Sequence, residues 1–396
     1  MDPHSRTGTT RCYDGGVVPL VTLSRLTAGL MKLIPFLLVC LALPGCSSEA
    51  EKTVNNPVST TAAPPVLADD PSALQALSVV GAKTKRNADG LVIEVNLRGT
   101  GANDDTLKAI APLLHLRALL LNDLNITDAG LETLRKADWP ITHLDLRGCP
   151  ISNAGLAHLV GLSSLRALRL SGSNSETTVD DDGMTSLAGL ITLEVLSLDK
   201  LWISVAGIEQ LLTLQNLEEL YLADTTIGDD TLELLPRFPR LRILRLSRNQ
   251  ISNDGLKHLA KLYKLVELDL SEISLLSDRG MLYLSRLTSL TKLNLWRVPI
   301  GDAGVAHLKP LTSLEWLNLD NTKLSDTGLP SLVDMKQLSF LHLGSTLVSD
   351  VGLPHLSGLT ALKDLKVTRT SVTDVGVKEL KKSLPATEIQ LVYQGY

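Results

Sequence analysis

Along most of the chain, apolar residues recur in pairs one position apart, with polar side chains between and beside them. The pairs begin at Val95, Leu119, Leu144, Leu168, Leu196, Leu220, Leu244, Leu268, Leu293, Leu317, Leu341, Leu365 and Ile389. Nine of the twelve intervals are 24 residues, two are 25 and one is 28. Alternation with period two predicts a short strand at each pair, apolar on one face and open on the other. Between the pairs runs a second phrase, seen as "ITDAGLETL", "ISNAGLAHL", "ISNDGLKHL", "IGDAGVAHL", "LSDTGLPSL" and "VSDVGLPHL". Leucines three apart, such as Leu131 and Leu134, predict a helix there. The Asp or Asn two residues before the glycine (Asp128, Asn153, Asn253, Asp302, Asp326, Asp350, Asp374) is expected to cap that helix with a side-chain oxygen.

A strand and a helix at a fixed period in the twenties, with Leu-x-x-Leu-x-Leu in each copy, resembles the leucine-rich repeat. The Ile-Ser/Thr-Asp-x-Gly-Leu phrase most resembles its cysteine-containing, ribonuclease-inhibitor-like class. The resemblance covers residues 91–396 and implies an α/β solenoid of about thirteen repeats that acts as a binding scaffold. A lone repeat cannot bury enough apolar surface to offset the ordering of its backbone, so the copies must stack. Neighbouring strands sit ~4.8 Å apart whereas packed helices need ~8–10 Å. The stack must therefore curve into a horseshoe, parallel strands on the concave face and helices on the convex face.

The N-terminal region follows other rules. Residues 31–46 read "MKLIPFLLVCLALPGC", with an apolar run from Leu33 to Leu43. That run is too short for the ~20 residues of a membrane-spanning helix and has the form of a secretory signal peptide. Its end, Leu43-Pro44-Gly45-Cys46, resembles the lipobox of bacterial lipoproteins, which implies cleavage before Cys46 and lipidation of that cysteine. On this reading 1–30 is an upstream leader or a start-site artefact, 31–45 the signal peptide and 46–70 the lipidated cysteine with a polar, disordered tether. Asp70-Pro71 marks a helix start and Asn87-Ala88-Asp89-Gly90 a turn. Residues 71–94 then form an N-terminal cap, and 95–396 hold the repeats and a C-terminal cap. The whole resembles bacterial leucine-rich-repeat lipoproteins, which implies a lipid-anchored place in the cell envelope, on the periplasmic side or at the surface.

Charge and chemistry narrow the function. The net charge is -5; residues 1–45 carry four basic and two acidic groups, so the remainder holds 34 against 41, a net of -7. No concentrated basic face suited to nucleic acid is evident. Four cysteines at 12, 40, 46 and 149 have neither metal-pair nor disulfide-framework spacing. No hydrolase, metalloprotease, phosphate-loop or Cys-x-x-Cys motif is present, so no enzyme, cofactor or metal is expected. Cys149 occupies a position held by Thr100, Thr225, Thr322, Thr346 and Thr370 in other copies and reads as a small buried residue. His158, His258, His307 and His355 recur at one helix position, too far apart to share a metal. The interval of 28 contains a four-residue insertion, "SGSNSETTVDDDGM", whose Asp180, Asp181 and Asp182 read as a solvated loop with a helix cap.

Aromatics make up only 3% of the chain, and several fall on the outward strand positions. Trp296 follows its Leu pair, Trp316 and Phe340 precede theirs, Tyr221 sits within one, and Tyr393 lies near the last. By period two, Trp296 is expected on the concave surface, with Trp316 beside Phe340. Asn294, Asn318 and His342 form a middle row, with Arg297 beside it and Arg245 in an adjoining charged band. Aromatics framing hydrogen-bonding groups suit a protein or peptide ligand. A second reading stacks sugar rings of an envelope polysaccharide on Trp296, Trp316 and Tyr221. A third makes the chain a structural envelope component. A fourth, a ubiquitin-ligase-type substrate adaptor, needs a helical domain that 47–70 is too short and polar to supply. The expected unit is a monomer.

Overall fold

The computed structural model describes residues 67–173 and 175–392. The leader, signal, Cys46 and most of the tether, together with Tyr393, lie outside the described residues. The first element is helix α1 (Pro71–Val79), capped by Asp70, whose carboxylate accepts from the backbone N–H groups of Ser72 and Ala73. Strands β1 (Lys83–Arg86) and β2 (Val92–Asn96) then form an antiparallel hairpin closed through Asn87. From β2 onward every strand pairs parallel with the next, giving a 14-stranded sheet in strict chain order to β14 (Glu388–Gln390).

The register matches the leucine spacing. Val95 pairs Leu119, Leu119 pairs Leu144, and the series continues without a slip to Leu365 opposite Ile389. Each strand thus sends its leucines into one continuous core and its intervening side chains to the opposite face. Short helices return the chain between strands, as at Asp128–Ala137, with Leu131 and Leu134 fully buried. The result is an open, curved α/β solenoid. Two of the expected helices are 3-10 instead, Asp326–Leu332 and Leu353–Leu356, where Pro330 and Pro354 lack the amide an α-helix needs.

The structure corrects the capping assignment. Where a side chain caps the helix it is the one before the Asp or Asn: Thr127, Ser152, Ser252, Ser325 and Thr373 accept from the first-turn amides, while Gly301 before Asp302 makes no side-chain cap. The Asp or Asn, at the first helical position, reaches sideways to the next repeat. Asp128 Oδ1 accepts from the Ser152 amide at 2.9 Å and Oδ2 from its hydroxyl at 2.5 Å. The same clamp joins Asp104 to Thr127, Asp181 to Ser204, Asp229 to Ser252, Asp302 to Ser325, Asp326 to Ser349 and Asp350 to Thr373. Asn153 and Asn253 make it with their amides, accepting from the Asp180 and Ser277 backbones. Asp374 likewise follows its cap, Thr373, and is not itself the cap.

The glycine of the phrase has its reason here. A Cβ at Gly328 would stand 2.5 Å from Asp302 Oδ1, and one at Gly304 2.5 Å from Asp278 Oδ1. The glycine leaves room for the carboxylate of the preceding repeat. At one junction Val205 replaces the Asp, Gly228 replaces the Ser, and Thr231 stands where the glycine would be.

A second regularity lies in the turn after most of the strands. Asp123, Lys200, Asp224, Arg248, Glu272, Arg297, Asn321, Ser345 and Arg369 all hold left-handed backbone there, with φ between 52° and 63°. Only the early repeats place glycine at this position, as at Gly99 and Gly148.

Candidate functional site on the concave face

Strands β7 (Glu219–Tyr221), β8 (Ile243–Arg245), β9 (Glu267–Asp269), β10 (Lys292–Asn294), β11 (Trp316–Asn318) and β12 (Phe340–His342) form the middle and C-terminal part of the sheet. In-register pairing turns their outward residues into rows. One row runs Glu219, Ile243, Glu267, Lys292, Trp316, Phe340; the next runs Tyr221, Arg245, Asp269, Asn294, Asn318, His342.

A cavity of ≈ 340 Å³ opens on this surface, and Tyr221, Arg245, Asn294 and Trp316 line it together with Glu267, Asp269 and Lys292. Phe340 stands just outside, stacked on Trp316 with centroids 4.9 Å apart and planes 5° from parallel. That separation equals the spacing of paired strands, so the stack runs across them. Lys292 Nζ lies 5.5 Å from the Trp316 centroid and Lys366 Nζ 5.5 Å from that of Phe340. His342 meets Phe340 edge-on at 6.3 Å, and burial lowers the imidazole pKa. The imidazole is therefore biased towards its neutral form beside the rings. Asn318 lies in the row between Asn294 and His342 and does not line the cavity.

Trp296 lies one step farther, in the turn after β10. It is half-buried, as Trp316 and Phe340 are, with the Arg297 guanidinium 5.2 Å from its ring centroid. Neither residue lines the cavity.

The charged side chains are cross-paired. Arg245 reaches Asp199 at 3.2 Å and Asp269 at 3.6 Å; Lys292 reaches Glu267 at 3.2 Å. Glu272 receives Arg248 at 2.7 Å and Arg297 at 3.1 Å. Half-exposed pairs of this kind add little stability, but they fix the arrangement of a polar rim. The Tyr221 hydroxyl donates to Glu219 at 2.8 Å, and burial followed by that carboxylate raises its pKa. Asp199 is also raised, chiefly by burial. Tyr221 is consequently a fixed donor at neutral pH, not a base.

The other sequence candidates have structural occupations. Cys149 is fully buried, its thiol donates to the Leu121 carbonyl at 3.2 Å, and burial pushes its pKa up to about 11, so it is a poor nucleophile. The threonines at its equivalent position donate to the carbonyl three residues back, as Thr322 does to Leu319 at 2.8 Å. In the insertion, Asp180 caps Asp181–Leu187 and Asp181 clamps Ser204. Among the described residues, no group of His, Cys, Asp and Glu is placed to hold a metal ion.

One aromatic that sequence reasoning passed over stands apart. Trp202 is 74% exposed, on the edge of the solenoid rather than the concave sheet. Its signal was present: equivalent positions hold residues as varied as Thr178, Thr226, Leu275, Lys323 and Leu347, and Trp202 is the aromatic among them.

The family model described as "Leucine Rich repeat" matches residues 140–160 and 240–260. With thirteen parallel, in-register strands, the chain has the leucine-rich-repeat fold. Among solved structures, this repeat protein is similar to an internalin of Listeria monocytogenes, at 20% identity over 82% of this chain and 95% of that one, with a TM-score of 0.56. An internalin C2 of the same organism matches at 30% identity over 57% of this chain and 93% of that one, TM-score 0.43. A TDR receptor matches at 16% over 74% and 51%, TM-score 0.49. No curated protein matches the sequence.

Proposed function

We propose that this chain is a non-enzymatic scaffold, lipid-tethered through Cys46 in a bacterial cell envelope, that binds a protein or peptide on its concave face. The observation carrying the reading is the cavity where Tyr221, Arg245, Asn294 and Trp316 converge. Tyr, Trp and Arg are the residues that most often carry binding energy at protein interfaces. Here they are held in advance: Trp316 between Phe340 and Lys292, Arg245 between two carboxylates. Pre-organisation lowers the ordering cost of association. The surrounding charges suit a polar rim about an aromatic centre.

The polysaccharide reading of the same surface is less well supported. Stacking of a sugar needs a free ring face, and Phe340 and Lys292 take the faces of Trp316.

The tether rests on the resemblance of Leu43-Pro44-Gly45-Cys46 to a lipobox, and so does the likeness to bacterial leucine-rich-repeat lipoproteins. The likeness to the cysteine-containing repeat class rests on the Ser/Thr-Asp-x-Gly-Leu phrase. Among the described residues no helix is long and apolar enough to cross a membrane. Labelling cells with a palmitate analogue tests the anchor, since a Cys46→Ala chain should take up no label.

Chemical crosslinking in native envelopes tests the binding face. Full-length protein should capture a discrete species that the Trp316→Ala/Arg245→Ala variant loses while its unfolding midpoint holds. Trp202→Ala, off the concave face, should still capture it. Equal capture by all three would remove the concave cavity as the site.

A further inference from the structure

A larger cavity, ≈ 730 Å³, opens on the edge of the solenoid beside the four-residue insertion, and Trp202 lies in its wall. It falls in the ~300–1,000 Å³ range of small-ligand sites. Local structure explains the display of the indole. Leu201 and Ile203 are buried on either side, so alternation turns residue 202 outward. The Trp202 backbone is bridged to Asp180, which caps the next helix, so the ring is carried on a fixed segment. The insertion is itself anchored, with the Thr177 hydroxyl donating to the Cys149 carbonyl at 2.8 Å and the Ser171 carbonyl at 3.0 Å.

The rest of the wall is polar. Lys200 and Asp224 occupy the left-handed turn positions of consecutive repeats, at φ 61° and 57°, and Ser175, Thr178 and Thr226 add hydroxyls. The Thr226 hydroxyl donates to the Ile203 carbonyl at 2.8 Å, which leaves its oxygen free to accept. One cation among the lining groups stands against two carboxylates, Asp180 and Asp224. That balance disfavours phosphate or a sulfated glycan. A protein hot spot is also a poor fit, because it needs an apolar centre sealed from water, and here one indole stands among hydroxyls and charges.

We propose that this edge cavity binds a neutral, β-gluco-configured saccharide, with one pyranose ring stacked on Trp202. In that configuration every ring substituent is equatorial, so the ring faces present only axial C–H groups. Those weakly positive hydrogens complement the negative face of the indole. The equatorial hydroxyls then point outward in the ring plane, where Lys200 donates and Asp224, Thr178 and Thr226 accept. The contrast with Trp316 is direct: that ring is stacked and cation-covered, and this one is 74% exposed. The site is separate from the concave face and does not depend on what binds there.

Titration of the full chain with cellotriose and with chitotriose, followed by tryptophan fluorescence and by saturation-transfer NMR, tests the proposal. Saturable binding of at least one trisaccharide is expected, weakened at least tenfold by Trp202→Ala and unchanged by Trp316→Ala. Asp224→Asn should weaken it less. Trp202 is exposed, so its replacement should leave the unfolding midpoint in place, and a circular dichroism melt checks this. The proposal is overturned if neither trisaccharide binds, if binding survives Trp202→Ala, or if an anionic heparin fragment binds at this site and the neutral sugars do not.

Discussion

Two junctions between repeats differ in three side chains at once. At the first, Asp302 accepts from the Ser325 amide at 2.7 Å and from its hydroxyl at 2.6 Å, and Gly328 leaves the space that carboxylate fills. At the second, Val205 has no oxygen to offer, Gly228 has no hydroxyl to donate, and Thr231 puts a side chain where the glycine stands elsewhere. The Thr231 hydroxyl is buried there without a hydrogen-bond partner. The comparison teaches that Asp, Ser and Gly in the phrase are one device spread over two repeats. The Asp of one copy needs the Gly of the next, and the Ser adds a second bond that is not essential, since Asp278 still accepts from the Gly301 amide at 2.7 Å beside Gly304. Where the first is lost, the other two go with it.

The largest effect that tests this contrast is steric. Gly328→Ala should destabilise the protein by about 2–3 kcal/mol, because its Cβ would meet both the Leu324 side chain and the Asp302 carboxylate inside contact distance. Thr231→Ala, at the junction with no carboxylate, should cost less than ~1 kcal/mol, since it removes an unpartnered hydroxyl. Urea midpoints for the two variants decide it, and equal losses would dissolve the comparison.

Next comes the clamp itself. Asp302→Ala removes the bonds to Ser325 and Thr327 and should cost about 1–3 kcal/mol. The reverse experiment sharpens the point. Val205→Asp alone should destabilise, because Thr231 fills the receiving space, whereas Val205→Asp/Gly228→Ser/Thr231→Gly should recover the loss. Coupling in the full mutant cycle measures the device directly.

Acid should act through the same carboxylates. At Asp350 the Thr373 hydroxyl and then its amide hold the carboxyl below its ordinary value of 3.8. At Asp302 burial alone would raise it, but the hydrogen bonds from Ser325 and Thr327 together outweigh burial and lower it. A depressed carboxyl contributes stability that is full above its unfolded value and lost as pH falls through its folded value. Stability should therefore fall as pH drops below about 4, and Asp350→Asn should flatten that limb; denaturation curves from pH 6 to pH 2 read it out.

The smallest effect belongs to the left-handed turn that follows most of the strands. Ser345 holds φ 52°, and Ser345→Gly should stabilise by less than ~1 kcal/mol, as relief of left-handed strain is partly offset by glycine's unfolded-state freedom. A destabilising result would mean the serine side chain has a role beyond filling the turn.

Much of this was legible along the chain. A spacing of 24 in a parallel, in-register stack makes residues 24 apart direct neighbours, which is why Trp316 and Phe340 could be placed side by side before any coordinates. The same rule set Asn294, Asn318 and His342 in one row. The capping misassignment has an equally plain cause. An Asp beside a helix start can turn its oxygens to its own first-turn amides or to the neighbouring repeat, and one repeat read alone does not distinguish them. Trp296 illustrates a different limit: its row was clear, but the Arg297 guanidinium over its ring was not. Trp202 lies outside the named strands, so the period-two rule that orders the concave rows does not reach it.

The sequence by itself determined the architecture, because a period-two apolar pair repeated near every 24 residues admits one way of burying all its leucines. It also determined which side chains share a row, since register in a parallel stack follows from spacing. Only the tertiary structure decided which groups meet across rows and repeats: the Asp carboxylates on the next repeat's serine, the cations closing the Trp316–Phe340 stack, and the open cavity beside Trp202. Those contacts depend on side-chain reach and direction over a few ångströms, which spacing along the chain does not encode.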